Sequence, residues 1–477
     1  MLFSSPLFLF RFLPFVLALQ FVLPRASHNL LLLTASLVFY AWGEPIGVGL
    51  LVGCIAVNFG FGQWLGRRSR RWILSLAVIV NLGVLIAFKY AHFLGDNLGL
   101  LLGQRLEVPT LPLPLGISFF TFQAVSYVID VYRGTVPAAG SLTAFALYIA
   151  YFPQAIAGPI VRYQDVVHQM AHRRVTLRGL AAGSQRFIVG LAKKLLLADT
   201  LARPADALFA LPAAELSLGL AWLASTCYAL QIYFDFSGYS DMAIGLARMS
   251  GFRFRENFRA PYAAESITDF WRRWHISLST WFRDYVYIPL GGNRCRPLRV
   301  YANLVIVFVL CGLWHGANWT FLVWGLYHGF FLVVERLGLS RWLQRLGRLP
   351  SHVYTLLIVV FGWVLFRAET LAQAGGIIEA MLGMAAGNGE VHAVGLYLTN
   401  DVGLALLVGG LAATAPGSWM AGWAAAVVGF PRPTGRAEPL RHAALAVARL
   451  TWLGGLLVAA GMVLAASTHH PFIYFRF

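Results

Sequence analysis

Long apolar runs, separated by short polar connections, recur along nearly the whole chain of 477 residues. Crossing roughly 30 Å of hydrocarbon takes about 20 helical residues, and the sequence holds about ten to twelve runs of that order. Because lipid-exposed backbone must satisfy its own hydrogen bonds, and the runs are continuous rather than alternating, they predict helices and not a barrel. Residues 1–100 read as four hydrophobic helices with short connections such as Gly43 to Pro45. Pro109, Pro112 and Pro114 then stop one helix before the next begins near Leu115. The run from Pro6 to Leu23 has no basic leader and reads as a first span instead of a removable signal. Further spans fill residues 142–250 around a basic segment, His172 to Lys194, and a last apolar group covers 300–466, with a weakly hydrophobic stretch at 370–384. No soluble domain or fixed-period repeat interrupts this pattern. The expectation is one membrane-embedded, all-α polytopic domain over 1–477, with N-terminal helices (1–100), a core (113–368) and C-terminal helices (370–477).

Composition agrees: 58% of residues are hydrophobic, only 12% are charged, and mean hydropathy is +0.68, against about 25% charged in soluble domains. The net charge of +17 would raise nucleic acid in a soluble protein. Here it reports orientation and contact with anionic headgroups, so lipid and not nucleic acid is the expected partner. Arg67, Arg68, Arg70 and Arg71 sit between two spans, and placing them in the cytoplasm puts the N-terminus on the far side. Cys54, Cys227, Cys295 and Cys311 have no metal-ligand spacing, and no metal is expected.

Two stretches carry chemistry. From Ser266 to Arg294, Ser266 and Asp269 resemble a capping box, and Trp271, Trp274, Leu278, Trp281 and Tyr285 form one helical apolar stripe. Such a helix, too polar to span, lies at the interface or lines a wet entry and ends near Pro289. It is either an interfacial anchor or a site in which His275, flanked by Arg272 and Arg273, serves an anionic cofactor. The second stretch runs for 35 residues from Val300 to Val334 without an acidic or basic residue, yet contains His315. As one helix it would reach about 52 Å, too long for one untilted crossing, so a break near Gly312 to Gly316 is predicted, with His315 at it. An imidazole there either makes an interhelical hydrogen bond or faces a functional cavity. His328 lies 13 residues on, about 220° around the axis, which argues against a metal site shared on one straight helix. His469 and His470 read as interface residues. No HExxH, GxSxG or Walker motif is present. A histidine without a Ser or Cys nucleophile suits direct acyl transfer from a thioester to an alcohol, with the imidazole as general base. Basic groups near Arg272 and Lys193 could meet the phosphates of a CoA-type donor, and a lipid-facing role explains them too.

These stretches sit among others that together resemble the membrane-bound O-acyltransferase family, in the bacterial branch that contains the alginate O-acetyltransferase membrane subunit. They are FYAWGEP at 39, LPLGISFFTFQAVSYVIDVYRG at 113, IAGPIVRYQD at 156, QIYFDFSGYSDMAIGLARMSGFRFRENFRAPY at 231, DFWRRWHISLSTWFRDYVYIPLGGNR at 269, LWHGANWTFLVWGLYHG at 313 and the terminal PFIYFRF. The resemblance implies a ring of tilted helices around a tunnel, with interfacial and re-entrant helices. The two family histidines match His315, as general base or acyl-transfer residue, and His275, which orients or assists. Asp235, Asp241, Arg272, Trp314, Asn318 and His328 carry over as tunnel lining. For Asp235 and Asp241 the alternative is a structural pairing with nearby Tyr or Ser hydroxyls. The implied donor is acetyl-CoA or another acetyl donor, reached from the cytoplasm across the bacterial inner membrane. The implied acceptors are a periplasmic acetyl-acceptor or transferase protein and, finally, a polysaccharide. Motif agreement favours alginate over other exopolysaccharides, peptidoglycan, or D-alanyl transfer to teichoic acid. A polysaccharide exporter or an assembly scaffold are the readings from other classes.

Overall fold

The computed structural model describes all residues except 105, 110, 385–391, 415–438 and 467–477. His469, His470 and the terminal PFIYFRF lie outside the described residues. Among the described residues the chain is helical and contains no strand. The N-terminal group comprises α1 (Phe8–Val22), α2 (His28–Gly43), α3 (Gly47–Arg67), α4 (Arg71–Lys89) and α5 (Ala91–Leu102). There are five helices here, not four, because Tyr90 divides the last apolar stretch and Gly103, at φ 64°, closes it. After the prolines come α6 (Ile117–Tyr132), α7 (Leu142–Ala150), a single turn α8 (Phe152–Ala155) and α9 (Tyr163–His172). Next are α10 (Leu177–Ala192), α11 (Asp199–Phe209) and the 32-residue α12 (Leu218–Met249).

The polar segment forms two short helices, α13 (Ile267–Arg273) and α14 (Ile276–Phe282). The long apolar run forms α15 (Pro297–His315) and α16 (Trp319–Val334), followed by α17 (Ser340–Leu346) and α18 (Arg348–Arg367). Helices α19 (Leu371–Met381), α20 (Val394–Tyr397), α21 (Asn400–Thr414) and α22 (Pro439–Ala466) are the last helices of the described residues. Among the described residues six helices are long and apolar enough to cross a membrane, and three shorter apolar ones accompany them. That is below the ten to twelve apolar runs of the sequence, since some runs are divided, as where Tyr151 separates α7 from α8. Lipid-type residues such as Leu76, Ile79 and Ile86 of α4 stand exposed on the outside.

The centre is held by α10 against α12. A Cβ on Gly190 would meet the Gly238 carbonyl oxygen at 2.6 Å, and one on Gly245 the Gly183 carbonyl oxygen at 2.7 Å. Two glycines seven residues apart on each helix therefore let the backbones touch, the small-residue packing that membrane helices use in place of a hydrophobic drive. Beyond α10 a π-helical turn, Lys193–Ala198, aims successive lysines at α12.

Charged groups separate by end. Ser69 Oγ donates to the Tyr132 carbonyl (3.1 Å), and Arg133 donates to the Asp284 carbonyl (3.2 Å). The Arg67–Arg71 turn, Arg133 and Arg283 thus share one end of the body. Lys89 ends α4 a full span away.

Candidate active site

His315 is the last residue of α15, and Gly316 leaves the helix in extended backbone (φ −168°) before Asn318 caps α16. The predicted break is present and His315 stands at it. The hairpin closes tightly because a Cβ on Gly312 would meet the Phe321 carbonyl oxygen at 2.2 Å, and one on Gly325 the Phe308 carbonyl oxygen at 2.3 Å. The exposed carbonyl end of α15 is capped from α4. Lys89 Nζ donates to the carbonyls of Trp314 (2.6 Å) and His315 (3.2 Å), and Tyr90 OH to that of Leu313 (2.5 Å). These donors satisfy carbonyls that the last turn of the helix leaves open, which fixes the end of α15 and with it His315.

Around the buried His315 ring stand Trp314 (4.9 Å between centroids), Phe366 (5.0 Å) and Trp324 (5.2 Å), each close to edge-on. Trp324 also lies 5.1 Å from His328, which is buried against Trp271 at 5.2 Å. His275 reaches the same cluster from α14, its ring 6.0 Å from Trp314. Trp314 therefore touches both His275 and His315, and Phe119 and Phe122 of α6 also pack on it.

The segment bearing His275 is not the continuous helix that the stripe predicted. Its apolar positions are buried as expected, and Ser266 Oγ accepts from Asp269 N (2.9 Å), but the helix breaks at His275, which takes φ 42°. Left-handed backbone at a non-glycine residue costs about 1–3 kcal/mol and persists only where its surroundings enforce it. Two contacts do so. Glu335, buried at the end of α16, accepts from the amides of Ile267 (2.5 Å) and Thr268 (2.9 Å) and fixes the start of α13. Asn257 holds the turn itself.

The remaining predicted residues take varied places. Arg272 is exposed, while Arg273 pairs with Asp269 (2.9 Å). Asn318 accepts from Thr320 N (3.1 Å) and donates to the Glu369 carbonyl (3.0 Å), so it caps α16. Asp235 pairs with Lys194 (2.7 Å), which also meets Asp199 (2.7 Å). Asp241 pairs with Lys193 (2.6 Å) and Arg186 (2.8 Å). Both aspartates thus bind cations of the α10 side rather than only neighbouring hydroxyls, and the ammonium of Lys193 is engaged. Lys89 and Glu335 escaped the sequence reading because their partners are distant in the chain, 225 residues away for Lys89 and Trp314, and Asn257 and Lys194 because a loop and a π-helical turn set their direction.

Buried donors remain at the centre. Nε1 of Trp271, Trp314 and Trp324, Oγ1 of Thr320 and Nδ1 of His328 have no hydrogen-bond partner among the described residues. An unmet buried polar group costs about 1–3 kcal/mol, so these atoms call for polar partners beyond the described residues.

An all-α membrane body with histidines gathered at a helix break is thus the frame in which the comparisons with known proteins fall. The family model described as the membrane-bound O-acyltransferase family matches residues 138–368, which contain both histidines. Over 391 residues the chain is 49% identical to the probable alginate O-acetylase of Azotobacter vinelandii, covering 80% of this chain and 78% of that protein. The Pseudomonas putida protein of the same name is 42% identical over 499 residues, with 100% of both covered. The peptidoglycan O-acetyltransferase of Helicobacter pylori is 38% identical over 423 residues, 80% of each. The chain belongs to the membrane-bound O-acyltransferase family, and its enzyme class is acyl transfer to a hydroxyl.

Proposed function

We propose that this chain passes an acetyl group from a cytoplasmic donor, acetyl-CoA or another acetyl donor, across the bacterial inner membrane to an extracytoplasmic polysaccharide, alginate by preference. The observation that carries the reading is the contact of Trp314 with both His275 and His315, inside a cluster of buried indole and imidazole rings. His315 takes the proton from the attacking hydroxyl as that oxygen bonds to the acetyl carbonyl carbon. The bond to the donor sulfur breaks, and the proton passes to the departing thiolate. General-base help of this kind is worth about 10² to 10⁴ in rate. His275 assists, and Asp235, Asp241, Trp314, Asn318 and His328 support the walls of a tunnel between the two faces.

Orientation follows from charge. The end bearing Arg67, Arg68, Arg70, Arg71 and Arg133 faces the cytoplasm, which leaves the N-terminus periplasmic. Arg272 and Arg273 meet the donor's phosphates there, and a periplasmic acceptor or transferase protein carries the group onward. Alginate is supported by relatives of that name at 49% and 42% identity. The Helicobacter relative, at 38% identity, supports peptidoglycan as the second reading.

The test is ester content, polymer by polymer, in a deletion strain with and without the intact chain. Loss of acetyl groups from the extracellular polysaccharide at unchanged polymer yield is expected. Loss confined to the cell wall would transfer the assignment to peptidoglycan. Reduced polymer yield with unchanged acetyl per sugar would make the chain an exporter.

A further inference from the structure

The turn at His275 is enforced by a loop that precedes it, and that loop is anchored on three helices. The amide of Arg253 donates to Gln169 of α9 (2.7 Å), and Arg255 pairs with Asp165 of α9 (2.7 Å). Glu256 is gripped by Arg186 of α10. Asn257, 1% exposed, then turns inward and donates through Nδ2 to Ser240 Oγ of α12 (3.1 Å). Its carbonyl accepts the amide of Ile276 (2.9 Å), and its Oδ1 accepts the amide (3.2 Å) and hydroxyl (2.9 Å) of Ser277. A backbone amide can only donate, so the atom facing it is the oxygen of Asn257 and not the nitrogen. That same oxygen lies 3.2 Å from His275 Nδ1. Ser277 Oγ also lies 3.4 Å from Nδ1, but its hydroxyl is directed at Oδ1 at the shorter 2.9 Å, so both neighbours present lone pairs to Nδ1; the ring then carries its proton there and its lone pair on Nε2.

We propose that Asn257 is a positioning residue for acyl transfer: it holds His275 in its left-handed turn and selects the tautomer whose basic nitrogen is Nε2. The proposal rests on the reading of His275 as a participant in the reaction. Asn257 acts through the histidine and through no direct contact with the acyl group.

The experiment compares acetyl esters on extracellular polymer, normalised to membrane abundance, in a deletion strain carrying the full chain or its His275→Ala, Asn257→Leu and Asn257→Asp variants. His275→Ala is expected to lose transfer. Asn257→Leu should fall about 10- to 100-fold, the scale seen when a partner that orients a functional histidine is removed. Asn257→Asp keeps the Oδ1 acceptor and should recover most of that loss. Wild-type transfer in Asn257→Leu beside a dead His275→Ala overturns the role of Asn257 alone, whereas wild-type transfer in His275→Ala overturns both readings. Should Asn257→Leu fail to accumulate, ¹⁵N NMR of histidine-labelled intact protein decides, with His275→Gln identifying the resonance. A proton on Nδ1 supports the proposal, and a proton on Nε2 overturns it.

Discussion

The α10–α12 pair and the α15–α16 hairpin are both closed by glycines that let backbones touch, yet different contacts surround them: ion pairs at the first and aromatic rings at the second. Across α10–α12, Lys193, Lys194 and Arg186 meet Asp235, Asp241, Asp199 and Glu256, so each cation faces a carboxylate. Around α15–α16 the neighbours of the histidines are aromatic, and the indole nitrogens of Trp314 and Trp324 and Nδ1 of His328 have no hydrogen-bond partner among the described residues. The seam is thus held by charge pairs, although Gln231 Oε1 and Ser237 Oγ of α12 also lack a partner among the described residues, whereas the hairpin is held by ring packing. The seam should therefore answer substitution with lost protein, and the site with lost transfer.

The largest effect should come from Lys194→Met, which buries Asp199 and Asp235 without their shared cation. Breaking a buried ion pair on one side costs about 3–5 kcal/mol, a large part of a protein's whole margin. Membrane abundance should collapse, and normal abundance would show that the seam does not depend on its ions. Gly190→Val is the next step down. Its Cβ would lie 2.6 Å from the Gly238 oxygen and 2.8 Å from Met242 N, and overpacking of this kind costs about 1–3 kcal/mol. Gly60→Val, where nothing lies within 4 Å, is the control: only the first should lower the melting temperature of the purified protein.

The smallest effect is expected at Asp284, on the basic end. Burial raises its carboxyl pKa, but Arg283 and Arg162 outweigh burial and hold it below the ordinary carboxylate range. The lowered value means that its stabilisation is present above the usual value of about 4 and fades as pH falls through the lower folded one. Asp284→Asn should cost about 1 kcal/mol at pH 7, because Arg283 is exposed and the amide oxygen can still accept from the buried Arg162. Its melting temperature should approach that of the parent as the medium is acidified below about pH 4. A difference that widened on acidification would refute the assignment.

Local signals were legible in the sequence where the physics is local. The uncharged run from Val300 to Val334 is too long for one crossing, which located the break at His315, and the Ser266–Asp269 cap marked the start of α13. The interruption at His275 was not legible, because a left-handed histidine has no propensity signature and depends on Asn257, 18 residues away, and on Glu335, across the fold. The stripe Trp271 to Tyr285 kept helical spacing because both short helices bury the same side. The partners of Asp235 and Asp241 were hidden for a similar reason: a π-helical turn, visible only in three dimensions, points Lys193 and Lys194 at them.

The central claim is that His315 performs the transfer and does not merely fill its helix. The most direct measurement is the acetyl content of extracellular and cell-wall polymers in a deletion strain carrying the intact chain or His315→Ala, with membrane abundance determined in both. The account predicts normal abundance and a polymer that loses its ester. Normal abundance with every polymer still acetylated would contradict it and leave His315 a structural residue.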